Sequence, residues 1–320
     1  MEKLFLRGRY KKEGKNILFF NTGSGVSLLA KGSNIVFELG SINKPCFVYI
    51  FKNFDFNQKE KYLINNEGRV VIKLEEDRIT HIDLIKSNEA IDNTLVLKNT
   101  IIDGKILKYT EKPNKFVKVY GDSSVAGYGI LKHQGKPDYD TSDGVEDFCF
   151  RALYSLKVDY DIFSGSGWGV TFSPYTDPME VGIEQYQDCL CVKNNEKWTD
   201  KRAADLLLLS LGTNDFSYIN QSASGKDKLE KHFIESYRKF IEKERKINKD
   251  IPVLMVYGSL KEESVYPLIE KTYNELSKIF DKLYIVKLPG NNDGIDFHCY
   301  VSHHKEIAEV LTKKIMSINF

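Results

Sequence analysis

The sequence predicts a chain of two domains, an antiparallel β-sandwich followed by an α/β domain built on a central parallel sheet. Three observations carry this reading. At 320 residues the chain is long for one core, since roughly 150 residues per domain is the usual scale. Its first hundred or so residues are short β-branched or aromatic runs with no helical period between them. Beyond Pro113, apolar strand-like runs alternate with segments of helical period, which is the signature of helices on both faces of a parallel sheet.

The elements follow in order. Ile17–Phe20, Val26–Ala30, Ile35–Leu39, Phe47–Phe51, Val70–Leu74 and His81–Ile85 read as strands. Glycine and asparagine punctuate them at Asn21–Gly25, Gly32–Asn34, Gly40–Asn43 and Asn65–Gly68. Asn93–Lys108 continues in the same style. Many short strands at this spacing suggest a sandwich. Pro113 and Asn114 would interrupt a strand, so the boundary falls in Glu111–Lys115, giving domains of 1–112 and 113–320. Phe116–Tyr120 then reads as a strand, Val145–Leu156 as a helix and Tyr160–Phe163 as a strand. Leu206–Leu211 is almost unbroken apolar sequence, as in a strand covered on both faces. Leu229, Phe233, Tyr237, Phe240 and Ile241 recur at helical spacing. Val253–Tyr257 is a strand, Val265–Phe280 a helix, Leu283–Val286 a strand and Ile307–Ile315 a closing helix.

Composition narrows the function. Hydrophobic residues make up 42% and charged residues 28%, the mix of a soluble globular protein. The 46 basic and 45 acidic residues leave a net charge of +1, so no strong field exists to hold a nucleic acid or an anionic membrane. No apolar stretch reaches the roughly 18 residues needed to span a bilayer. Met1–Tyr10 lacks the apolar run of a secretory signal, so the expected location is the cytoplasm, or outside the cell if the chain is a trimmed mature form. Cys46, Cys149, Cys189, Cys191 and Cys299 are odd in number and include no CxxC pair, and they read as reduced cysteines without a special role.

In parallel α/β sheets, ligands bind beyond the carboxyl ends of the strands. Gly121-Asp122-Ser123 follows the first of these strands. Ser164-Gly165-Ser166-Gly167-Trp168-Gly169 follows the second, and Gly212-Thr213-Asn214-Asp215 the third. Asp293-Gly294-Ile295-Asp296-Phe297-His298 follows the last. Taken singly, each has an ordinary explanation. Ser123 reads as a helix N-cap, Gly167 as a tight turn, Asn214 as an Asx-turn residue and His298 as a partly buried histidine. Together they deliver a hydroxyl, a glycine loop, an amide and an imidazole to one rim, the parts of nucleophilic acyl transfer.

Gly121-Asp122-Ser123, Gly167, Gly212-Thr213-Asn214-Asp215 and Asp296-Phe297-His298 resemble the four conserved blocks of the SGNH (GDSL-type) hydrolases. Within that superfamily the resemblance is to carbohydrate esterase family 2, bimodular acetyl esterases acting on plant polysaccharides. GDSSVAGYG (Gly121–Gly129), SGWGV (Ser166–Val170) and LGTNDFS (Leu211–Ser217) carry it, with Gly8-Arg9-Tyr10 in the place of a motif that opens that family's sandwich. The resemblance implies a jelly-roll-like accessory sandwich and an α/β/α SGNH hydrolase domain. It implies Ser123 as nucleophile and His298 as general base, with Asp296 as third member. Family members that use a backbone carbonyl in place of that acid, and the nearby Asp293, leave the third position open. The Ser123 N–H, the Gly167 N–H and the Asn214 amide are the implied oxyanion hole. Asp215 is expected to order its loop rather than to take part in chemistry. The family pattern departs after the histidine, where Cys299 stands for Pro and His303 for Gly.

Trp168 and Tyr128 are the candidate substrate-binding aromatics, with core packing the competing explanation for each. His303 and His304 lack a third ligand in pattern, so no metal and no cofactor is expected. The expected partner is an acetylated oligo- or polysaccharide, not a nucleic acid or a membrane. Three other activities share the same blocks: a broad-specificity short-chain esterase, lipase or thioesterase; a glycan binder with an inert hydrolase domain; and an acetyl transferase to another sugar. The glycan, the ester position and the oligomeric state are not legible.

Overall fold

Two glycines allow the first domain to close. They sit opposite each other in the register of two long antiparallel strands, β4 (Gly25–Asn43) and β9 (Asn93–Leu107). At Gly32, φ is +155°, and an added Cβ would lie 2.0 Å from the Asp103 carbonyl oxygen. Only residues without a Cβ let the two backbones approach so closely while the strands bend. The computed structural model describes residues 3–199, 202–260 and 262–320.

Seven further strands surround that pair: β1 (Leu4–Arg7), β2 (Tyr10–Glu13), β3 (Asn16–Phe19), β5 (Cys46–Lys52), β6 (Glu60–Ile64), β7 (Gly68–Lys73) and β8 (Thr80–Lys86). All pairings are antiparallel, in the order β2-β3-β9-β4-β8-β5-β6, with β1 and β7 also on β4. The first half of β4 lies between β1 and β8, and its second half between β7 and β9. One sheet thus folds over on itself. Val26, Leu28, Ile35, Phe37, Ile50, Leu84 and Leu95 fill the space between its layers. The runs Val26–Ala30 and Ile35–Leu39, expected as separate strands, are one strand across Gly32. The short β1, β2 and β6 were not expected. β2 and β6 carry lysine and glutamate, as edge strands often do.

The second sheet is parallel, in the order β11-β10-β14-β15-β16. Its strands are β10 (Phe116–Gly121), β11 (Asp159–Ser164), β14 (Leu206–Ser210), β15 (Val253–Tyr257) and β16 (Leu283–Lys287), and a hairpin of β12 (Cys189–Cys191) and β13 (Asn194–Lys197) stands apart. Helices α5 (Lys226–Arg245) and α6 (Glu262–Leu276) cover one face, through Phe233, Tyr237, Phe240 and Ile269. Helices α2 (Phe148–Ser155) and α7 (Val301–Ile318) cover the other through Phe148, Leu153, Leu311 and Ile315, joined by Tyr49, Phe51 and Ile85 of the first sheet. Three shorter helices, α1 (Ser123–Ala126), α3 (Ile183–Tyr186) and α4 (Thr213–Gln221), fill the loops. This matches the expected architecture, an antiparallel domain followed by a parallel sheet between helices. The expected helix at Val145–Leu156 starts at Phe148, where the Asp147 carboxylate caps the Cys149 N–H at 2.8 Å.

Buried ion pairs bolt the two parts together. The Arg9 guanidinium, 1% exposed, donates to Asp161 Oδ2 at 2.9 Å, to the Gln187 carbonyl at 2.9 Å, to the Cys189 carbonyl and to the Tyr120 hydroxyl. Asp143, fully buried, accepts from Tyr49, Lys61 and Ser87 of the first sheet and its loops, each at 2.6 Å. Among the described residues no helix is long and apolar enough to cross a membrane. The five cysteines are buried, and none forms a disulfide among the described residues.

Candidate active site

Strand order places the site. The chain leaves β10 for β11 on one side and then crosses back past β10 to β14 on the other, and such a switch point opens a crevice at the carboxyl edge. Ser123 follows β10 and Asn214 follows β14, so both sit at that crevice.

Ser123 is the first residue of α1. The Asp122 carboxylate caps the turn, accepting the Ser124 N–H at 2.9 Å and the Ser124 hydroxyl at 2.7 Å. Burial pushes the Asp122 carboxyl up to about 6 despite these bonds. The Ser123 hydroxyl lies 2.8 Å from Nε2 of His298, 175 positions along the chain. The opposite ring nitrogen, Nδ1, lies 3.0 Å from the Ile295 carbonyl oxygen. A carbonyl only accepts, so Nδ1 carries the hydrogen and Nε2 is left with its lone pair toward Ser123. Burial lowers the His298 pKa to about 4, and the Ile295 carbonyl and the Asp296 charge oppose this.

Asp296 does not take the expected place beside His298. It lies in a 3₁₀ turn at φ +50°, followed by Phe297 at +64°. This left-handed pair turns the carboxylate outward to accept the Tyr128 hydroxyl at 3.0 Å. The ring is instead held by the backbone of its own turn, where the His298 N–H also donates to the Ile295 carbonyl at 3.0 Å. Asp293 is engaged elsewhere, with the Tyr300 N–H at 2.9 Å and His303 Nε2 at 3.4 Å. His304 accepts the Phe148 N–H on Nδ1 and donates from Nε2 to the Cys299 carbonyl. The two adjacent histidines therefore serve different partners. No group of three or more metal-ligating side chains is gathered among the described residues.

The donors expected around Ser123 line the same cleft. Gly167 adopts φ +83°, a conformation open to glycine and strained for a residue with a Cβ. No hydrogen bond occupies the N–H of Ser123 or of Gly167 among the described residues. Asn214, near the start of α4, donates one amide hydrogen to the Trp168 carbonyl at 3.0 Å, which leaves the other for the cleft. Asp215 behaves as the expected loop organiser. It is fully buried, and its carboxylate accepts the N–H groups of Val170, Thr171 and Phe172 at 2.8–2.9 Å.

Trp168 differs from expectation. It does not line the cleft; it packs in the core, edge-on to Tyr186 with ring centroids 5.0 Å apart. The clamp on Asp215 fixes the loop just after it and sends the indole inward. Tyr128 does line the cleft, its ring centroid 4.9 Å from that of His298.

The cleft is about 660 Å³ and has walls that strand-end reasoning did not reach. Tyr175, 73% exposed, and Phe297, 60% exposed, stand beside it. Lys44 bridges Asp92 at 3.1 Å and Asp138 at 2.6 Å, joining the two domains along the rim. Glu89, from the first domain, is buried against Ser166, and burial together with the charge of Asp92 raises its pKa to about 7.

A serine and a histidine paired over the carboxyl edge of a doubly wound parallel sheet, with spare N–H groups beside them, define an α/β domain of the serine-hydrolase type. The model of the GDSL-like lipase/acylhydrolase family matches residues 119–287, just over half of the chain, and the chain belongs to that family. The match includes Ser123, Gly167 and Asn214 and stops short of His298. The chain is 23% identical over 223 residues to the cellulase/esterase CelE of Acetivibrio thermocellus, covering 66% of the chain and 26% of that protein. It therefore spans about a quarter of the length of this curated relative.

Two solved structures share the whole two-domain fold. A family two carbohydrate esterase from Clostridium thermocellum, in complex with cellohexaose, superposes with a TM-score of 0.84 at 19% identity, over 98% of each chain. An acetyl xylan esterase from the rumen bacterium Butyrivibrio proteoclasticus gives 0.85 at 19% identity, over 99% of this chain and 95% of that one.

Proposed function

We propose that this protein is a serine esterase that removes acetyl groups from sugar hydroxyls through an acyl-enzyme. The observation that carries the reading is the 2.8 Å contact of the Ser123 hydroxyl with an unprotonated His298 Nε2 in an open cleft. A serine hydroxyl is a weak nucleophile until a base takes its proton. His298 accepts that proton as Ser123 Oγ bonds to the acetyl carbon. The carbonyl oxygen becomes an oxyanion, which the N–H groups of Ser123 and Gly167 and the free amide hydrogen of Asn214 stabilise. The Ile295 carbonyl steadies the imidazolium through Nδ1, the part a carboxylate plays in a triad. His298 then gives the proton to the departing sugar oxygen, leaving acetylated Ser123. Water, deprotonated by the same nitrogen, attacks that ester, and the proton returns to Ser123 as acetate leaves.

The walls favour a sugar over a lipid. Charged and hydroxyl side chains (Lys44, Glu89, Asp92, Asp138, Ser142 and Ser217) stand beside Tyr128, Tyr175 and Phe297. Aromatic faces suit the apolar side of a sugar ring, and the polar groups suit its hydroxyls. The likeness to structures described as carbohydrate and acetyl xylan esterases supports the same substrate class. We take residues 1–112 as the accessory domain and 113–320 as the hydrolase domain.

Acetate release from acetylated xylo- and manno-oligosaccharides, wild type beside Ser123→Ala, tests the reading. Turnover that vanishes in the variant is expected. Turnover that survives it, or a preference for long-chain esters, overturns it.

A further inference from the structure

Glu89 differs from the other carboxylates of the cleft in its origin and its partners. It belongs to the loop after β8, in the first domain, yet both of its oxygens serve one residue of the second. Oε2 accepts the Ser166 N–H at 2.9 Å and Oε1 accepts the Ser166 hydroxyl at 2.7 Å. The side chain is 3% exposed, and no cation lies within ion-pair distance of its carboxylate among the described residues. Lys86, the nearby buried amine, donates instead to the main-chain carbonyls of Asn88 and Glu89. Such a carboxylate is retained against its desolvation only where its hydrogen bonds hold something in place.

The loop that carries it is rigidly mounted. Ser87 donates its N–H to the Phe47 carbonyl at 2.9 Å and its hydroxyl to Asp143 at 2.6 Å. Asn88 donates to the Tyr139 carbonyl at 2.8 Å. On the other side, Ser166 directly precedes Gly167. The Gly165 N–H is tied to the Gly121 carbonyl and the Trp168 N–H to the Gly165 carbonyl, each at 3.2 Å. The peptide that carries the Gly167 N–H begins at Ser166, so a clamp on Ser166 sets its direction.

We propose that Glu89 is a positioning residue of the esterase reaction: by clamping Ser166 it aims the Gly167 N–H at the oxyanion, so that the first domain completes the catalytic site. This rests on the esterase reading above. An oxyanion exists only after attack has begun, so loosening its donor lowers kcat and leaves KM nearly alone. The effect is smaller than removing a donor outright, which costs about a hundred- to a thousandfold.

The test is steady-state hydrolysis of a small activated acetyl ester, with kcat and KM measured separately for wild type, Glu89→Ala, Glu89→Gln, Ser166→Ala and the double alanine variant. Glu89→Ala is expected to lose about ten- to a hundredfold in kcat, with KM within about twofold, since the donor is displaced but still present. Glu89→Gln keeps an acceptor for the Ser166 N–H and offers a donor to its hydroxyl oxygen, so it is expected to rescue most of the loss. The double variant is expected to be no worse than Glu89→Ala, because both changes cut one linkage. A raised KM with kcat intact would make Glu89 a substrate contact and overturn the proposal, as would full additivity or failure of glutamine to rescue. If Glu89→Ala does not fold, Glu89→Leu, which keeps the side-chain volume but has no acceptor for the Ser166 N–H or hydroxyl, takes its place, and an unchanged kcat in it overturns the proposal. Wild-type protein without acetyl-ester turnover overturns both readings, whereas the variant outcomes overturn only this one.

Discussion

His298 Nδ1 points at the carbonyl oxygen of Ile295, 3.0 Å away, and not at a carboxylate. The ring is therefore oriented by the peptide geometry of its own turn. Where a carboxylate does this work in a serine triad, neutralising it costs about ten-thousandfold in kcat. Here Asp296→Ala is expected to cost less than about tenfold, through the freed Tyr128 hydroxyl and the lost charge near the ring, while His298→Ala removes activity. Ester turnover by the two purified variants checks this. A loss of about a thousandfold or more in Asp296→Ala would return the carboxylate to the orienting role.

The pH profile follows from the same burial. A general base works only in its neutral form, and burial lowers the His298 pKa to about 4. Activity is lost as pH falls through that value and is retained above it. The acid limb of kcat/KM is therefore expected well below the ordinary histidine value of about 6.5, with a plateau through neutrality. A profile from pH 3 to 8 with its acid midpoint at 6.5 or above would contradict the burial argument.

The placement of Ser123, Gly167 and Asn214 was legible because each follows a strand within a few residues, and the end of a parallel strand is a local signal; His298 lies farther from its strand, and its place just before the closing helix was the signal. What depended on side-chain direction was not. Asp296 and Trp168 occupy the right loops, but a left-handed backbone and the Asp215 clamp turn them away from the expected partners. Glu89, Lys44 and Tyr175 reach the cleft through contacts between distant segments, which no local pattern announces. The same holds for β4, read as two strands because the glycine that bends it looks like a turn until Gly104 is seen opposite.

Asn214 joins two functions in one amide. One hydrogen holds the Trp168 carbonyl at 3.0 Å and the other faces the cleft. Asn214→Ala is expected to lower kcat by about a hundred- to a thousandfold, the cost of one preorganised oxyanion donor. The thermal midpoint should move little, since Asp215 still holds the neighbouring loop through three N–H groups. Kinetics with a thermal melt separates the two effects. Near-normal turnover in a folded variant would remove Asn214 from the site.

Arg9 gives the strongest prediction about stability. Its guanidinium lies over the Phe163 ring at 4.2 Å and is 1% exposed, while its partner Asp161 is 3% exposed. Replacing it with Met keeps much of the apolar stem but strands the Asp161 carboxylate and takes one donor from each of the Gln187 and Cys189 carbonyls. Breaking a buried pair from one side costs about 3–5 kcal/mol, mostly the desolvation of the charge left behind. Arg9→Met should therefore shift the denaturant midpoint sharply, and Arg9→Met with Asp161→Leu should recover part of the loss, because no bare charge remains. Arg9 sits near the amino terminus and Asp161 in the central parallel sheet, so the variant weakens the joint between the domains. The unfolding of the first domain is then expected to separate from that of the second. A single variant that loses less than about 1 kcal/mol would mean that the interior around Asp161 is wet enough to solvate the charge, against the burial on which the prediction rests.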